Sequence, residues 1–135
     1  MTDHVHYDVE AFEKQCRDLI AAQFKRGDEA VAAGEADANF IEAQKQFADA
    51  RVSFAVACLK AQNLGVEREV VMFAAGASLG MMHGSLMSSI SNLLLVQEVN
   101  GWVVRASEDV LSRTQSGEGT GIGIVSASPM EGGRA

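Results

Sequence analysis

Three histidines and two cysteines are the residues of this chain best suited to metal ligation or to acid–base and nucleophilic chemistry. His4 and His6 sit beside Asp3 and Asp8 in an acidic N-terminal stretch. With Met1 removed, His4 becomes the third residue, and a free amine, two amides and an imidazole can hold Cu(II) in a square plane. Any flexible arm with a histidine there does so incidentally, so no resident metal is expected. His83 stands alone: its helical neighbours Leu79, Gly80, Leu86 and Met87 supply no carboxylate or imidazole. It reads as a satisfied core histidine. Cys16 and Cys58 lie in apolar surroundings without metal-site spacing and read as reduced core thiols.

Two further patterns fail on the same kind of test. Residues 117–123, Gly-Glu-Gly-Thr-Gly-Ile-Gly, resemble a phosphate loop but lack the preceding strand, the following helix and the lysine. A carboxylate metal site in a helical bundle needs inward glutamates and Glu-x-x-His pairs, and the sequence has none. No enzyme activity, catalytic residue, cofactor or metal is therefore expected.

The chemistry that remains is association. Residues 70–97 run without Asp, Glu, Lys or Arg. Within them Gly76, Gly80, Gly84 and Ser88 fall four apart and form one ridge on a helix. A glycine inside a helix costs about 0.5–1 kcal/mol relative to alanine, a cost normally offset by close approach to another backbone. Met81, His83 and Met87 flank the ridge with adaptable apolar surface. These seven residues are the candidate site, an oligomer or partner interface of glycine-zipper type. Small-xxx-small patterns also pair helices in membranes, and the stretch is long enough to span one. His83, Asn92, five serines and the missing basic flank argue against that.

The elements that must position this segment read as helices. Asp8 is the predicted N-cap of a first helix, with Tyr7 and Phe12 as its hydrophobic staple. Val9, Phe12, Cys16, Leu19, Ile20 and Phe24 make its apolar stripe. It ends either at Gly27 or, over 8–33, with Gly34 as the residue beyond its cap. A second helix is predicted over 37–64, with Phe40, Phe47 and Phe54 alternating with Ala43, Ala50 and Ala57 along a heptad seam. A third is predicted over 66–98, its seam carried by Met72, Leu79, Leu86 and Leu93 with Gly76, His83 and Ile90 between them. The short link at Gly65 makes the second and third antiparallel neighbours. Beyond Gln97, Asn100-Gly101 fits either a β-hairpin or the end of helix three before a short helix capped by Ser107; the helical reading is favoured.

These elements give an all-α fold, an antiparallel bundle of three to four helices over 1–114. A flexible glycine-rich tail over 115–135 follows, in which Ile122, Ile124 and Val125 are an apolar cluster able to add as a strand to a partner. The charge is −7, with 11 Lys and Arg against 18 acids and no basic cluster, which speaks against nucleic acid as a partner. The N-terminus shows no basic and apolar leader pattern, so no signal peptide is expected and the chain reads as cytoplasmic. More apolar surface on helix three than its neighbours can hide predicts a homo-oligomer, most simply a two-fold dimer, and a further protein partner.

Overall fold

A computed structural model describes residues 5–116 and the backbone of 129–134. Their order is β1 (Val5–Tyr7), α1 (Val9–Ala32), α2 (Ala38–Lys45), α3 (Ala48–Gln62), α4 (Arg68–Ser88), α5 (Leu93–Gln115) and β2 (Pro129–Arg134). The chain is mostly helical, and it divides into two compact units, 1–71 with 122–135, and 72–121.

In the first unit, α1 begins and ends as its sequence dictates. Asp8 accepts the Ala11 amide at 3.0 Å, and Tyr7 packs against the core cluster to which Phe12 belongs. At the other end Gly34 takes φ +75°, the Gly34 amide donates to Val31 O and the Glu35 amide to Ala30 O. That double bond around a left-handed residue closes the helix and selects the longer of the two expected ends. Gly27 lies inside α1, where a Cβ would come within 3.2 Å of Ile41 Cδ1, so its small size lets α2 sit close.

The helix expected over 37–64 is two helices. Asp37 caps α2 as predicted, accepting the Phe40 amide at 3.1 Å. At Gln46 and Phe47 the amides turn to carbonyls three residues back, Ala43 O and Gln44 O, and the axis breaks. This lets α2 meet the far half of α1, through Ile41 at Gly27 and a Lys45–Asp28 ion pair at 2.9 Å. It also lets α3 meet the near half, where Arg17 bridges Asp49 at 2.7 Å.

The buried face of α3 is likewise not the predicted Phe/Ala seam. Val52, Ala55, Val56 and Leu59 are buried against Phe12, Cys16 and Ile20, while Phe47 is 64% exposed. Residues 54–59 are apolar on nearly every side, so periodicity leaves the inward face open and the narrow stripe of α1 chooses it.

A reciprocal pair of hydrogen bonds ties β1 to the end of α3. The Tyr7 amide donates to Asn63 Oδ1 at 2.8 Å and Asn63 Nδ2 donates to Tyr7 O at 3.0 Å. β2 pairs antiparallel with β1, Tyr7 opposite Pro129 and Val5 opposite Arg134. Residues 129–134 of the expected tail thus form a strand, whereas Ile122, Ile124 and Val125 lie outside the described residues.

In the second unit the helix expected over 66–98 ends at Ser88. α5 opens at Leu93 with Asn92 as N-cap, its Oδ1 accepting the Leu94 amide at 2.9 Å. The Asn100-Gly101 pair is neither a hairpin nor a helix end. It sits inside α5, and Ser107, expected as a cap, donates its hydroxyl to Val103 O one turn back.

Leu59→Ala should destabilise the chain by about 2–5 kcal/mol in chemical denaturation, because a fully buried Leu leaves a cavity. Phe47→Ala should stay within about 1 kcal/mol of wild type. The opposite ranking would restore the Phe/Ala seam as the core.

Candidate interaction surface

The seven predicted site residues all lie on α4, from Gly76 near its middle to Ser88 at its end. Gly76, Gly80 and Gly84 are exposed, and a Cβ built on any of them would meet nothing within 4 Å. Among the described residues the ridge therefore contacts no backbone. No helix among the described residues fills the notch. Met81 is 69% exposed, while Met87 is half-buried. Ser88 turns its hydroxyl back to Ser85 O at 2.9 Å.

His83 is half-buried rather than a core residue, and it has a partner. Its Nε2 lies 2.7 Å from Asn100 Oδ1, where the protonated tautomer donates. In a continuous helix residues 83 and 100 would stand about 25 Å apart, so this bond shows that α5 doubles back along α4. The pairing is confined to the junction. His83, Met87 and Ile90 on one side and Val96, Val99 and Gly101 on the other are half-buried, whereas every residue from Trp102 to Ser116 is exposed.

The sequence reading missed α5 as part of the surface. Leu93, Leu94, Trp102, Val104 and Leu111 are all more than half exposed, and the Arg105 guanidinium lies 4.8 Å from the Trp102 ring centroid. A signal was present: Val96, Val99, Val103, Ala106 and Val110 step by 3, 4, 3 and 4, a heptad stripe. The Asn-Gly pair at its centre drew the reading towards a turn.

Taken over 72–116, fourteen large hydrophobic side chains are exposed and none of the described residues is buried. They surround α4 on all sides: Met72 and Leu79, Phe73, Met81 and Met82 point in different directions around its axis. Large apolar side chains left exposed in such number are more than the scattered single ones of an ordinary helix surface. α4 is also long and apolar enough to cross a membrane by length and composition, with 6% of its most apolar window buried.

Among the described residues no group of three or more His, Cys, Asp or Glu converges. A shallow cavity of about 160 Å³ lies between Val5, Tyr7, Gln62, Val66 and Arg68, below the 300–1,000 Å³ typical of small-molecule sites. Gln62 Nε2 is buried without a protein partner, a place for an ordered water. Both thiols sit in the first unit's interior. Burial raises the pKa of Cys16, with the Glu13 charge adding to it, and burial alone raises that of Cys58. Raised pKa values leave less thiolate at neutral pH, the reverse of a reactive cysteine.

Two measurements follow from this geometry. Iodoacetamide at pH 8 should modify Cys16 and Cys58 slowly in the folded chain and both rapidly in denaturant; modification of the folded chain at the rate of a free thiol would contradict their burial. Gly80→Ala, read by helix melting at high dilution, should stabilise the isolated chain by about 0.5–1 kcal/mol, since the methyl meets open space. Destabilisation at high dilution would mean the ridge is already filled within one chain.

Comparison with protein families, curated proteins and solved structures finds no match for this chain.

Proposed function

We propose that the chain is a non-enzymatic helical module that associates with itself and, through the same surface, with another protein. It acts in the cytoplasm as an assembly, scaffold or adaptor element. The observation that carries the reading is the apolar surface of α4 and α5, uncovered among the described residues while the buried core lies wholly within 1–71. In this reading the antiparallel bundle is completed between copies. α4 lies near a two-fold axis, and its Gly76/Gly80/Gly84/Ser88 ridge meets a neighbouring backbone. A closed two-fold arrangement buries the same patch on both copies and ends the association there.

A second reading has one observation in its favour: α4 is apolar around its whole circumference and almost unburied, which also suits insertion into a bilayer. Glu67, Arg68 and Glu69 before the uncharged run and Glu98 after it weigh on the other side, because they lack the basic excess that marks the cytoplasmic flank of a membrane span.

Sedimentation equilibrium in detergent-free buffer separates the two. The chain mass is 14.3 kDa, and the expected result is a soluble species at twice that mass or a higher multiple. Gly80→Leu should lower the mass and weaken association roughly 5- to 150-fold, the equivalent of about 1–3 kcal/mol of overpacking. Its helix content should be unchanged, because the isolated chain has room for the side chain. A chain that precipitates without detergent and floats with lipid vesicles would support the second reading instead. A stable 14.3 kDa monomer would contradict both.

A further inference from the structure

The junction between α4 and α5 is built without the residues that ordinarily stop a helix. Residues 89–92 are Ser, Ile, Ser and Asn, with no glycine and no proline. Polar side chains line the break. Ser88 and Ser89 hydroxyls donate to Ser85 O and Leu86 O at 2.9 and 2.6 Å, bonds that an unbroken helix also permits. Only the Asn92 cap belongs to the broken state: its φ of −89° and ψ of 114° are extended, and its Oδ1 accepts the Leu94 and Leu95 amides at 2.9 and 3.4 Å.

The sequence pattern crosses this break in phase. Met72, Leu79, Leu86 and Leu93 keep a seven-residue step through it, and so do Gly76, His83, Ile90 and Gln97. A chain that always reverses at 89–92 has no use for a phase held across the turn, whereas a continuous helix presents it as one seam. What holds the folded-back setting among the described residues is slight: the Asn92 cap, the His83–Asn100 hydrogen bond and a few half-buried residues next to the junction. Straightening would return the amides and carbonyls freed at the break to the helical ladder.

We propose that residues 89–92 are a hinge with two settings. In one, α5 folds back on α4 as described. In the other, 68–115 is a single helix of about 72 Å whose Met72/Leu79/Leu86/Leu93 seam meets the same seam of a second copy. What the straightened seam meets rests on the self-association reading; the hinge itself is a property of one chain, and the test is confined to one chain.

Trp102 is the chain's only tryptophan and serves as an energy-transfer donor. A dansyl-type acceptor goes on Met81→Cys, an exposed position, with single labelling verified by mass because Cys16 and Cys58 are buried. The labelled chain is diluted tenfold into unlabelled Trp102→Phe protein, so that only transfer within a chain is read. Folded back, each site stands two residues from the His83–Asn100 bond, so the two lie within about 20 Å of each other. Straightened, 21 helical residues put them about 32 Å apart.

Asn92→Ala should lose at least half of the wild-type transfer. Leu93→Pro should keep the transfer high, since proline suits the first helical position, the extended Asn92 suits a following proline, and proline obstructs the straight helix. The double variant Asn92→Ala with Leu93→Pro should recover the transfer, which excludes simple unfolding as the cause of the loss. Undiminished transfer in Asn92→Ala, failure of the proline to recover it, or equally low transfer in wild type and Leu93→Pro would each overturn the hinge.

Discussion

Apolar surface must leave water, at about 25 cal/mol for each Å² removed, and this chain meets that demand unevenly. The nine buried residues among those described all fall between Phe12 and Val71. There the stripe of α1 and the inward face of α3 close on each other, with Leu59, Val52 and Cys16 at the centre. From Met72 to Ser116 the described residues form two long helices whose support is mostly local: the Asn92 cap, an Arg113–Asp109 pair at 3.1 Å and serine hydroxyls on carbonyls one turn back, with the His83–Asn100 bond joining the two helices. Isolated helices gain most of their stability from packing an apolar face, and propensity alone leaves them marginal. The imbalance between these two stretches is what the functional reading rests on.

The surface ion pairs do not alter that balance. Arg17 with Asp49 and Glu13 and Lys14 with Asp18 lie in solvent, and half-buried Lys45 meets the exposed Asp28 and Glu42. Each cation's pKa is raised, first by the hydrogen bond to its carboxylate partner, but exposed pairs of this kind contribute little to stability. Their value is positional: they fix which part of α1 faces α2 and which faces α3.

Much of the local structure was legible because single residues carry it. Asp8, Asp37 and Gly34 mark helix ends by chemistry that needs no tertiary context, and the stripe of α1 is narrow enough to name its own buried face. The two helix breaks were not legible, because neither 46–47 nor 89–92 contains glycine or proline; one is a slight tightening of the ladder and the other an asparagine cap in a run that also reads as helix. The inward face of α3 was hidden for a different reason. Where every side is apolar, the partner decides. The candidate site was legible as a pattern, the glycine ridge, but its occupancy was not, since spacing shows that a backbone can approach and not which one does. α5 was misjudged because Asn100-Gly101 reads as the end of one helix before another, although a valine heptad runs through it.

Hydrogen exchange of the α4 amides, followed as protein concentration is raised, reads the central claim most directly. If α4 is completed by other copies, protection across residues 72–88 should climb with concentration, while amides around Phe12 and Leu59 keep the same protection throughout. Exchange in α4 that stays fast at every concentration, in a chain that remains soluble at 14.3 kDa, would contradict the account.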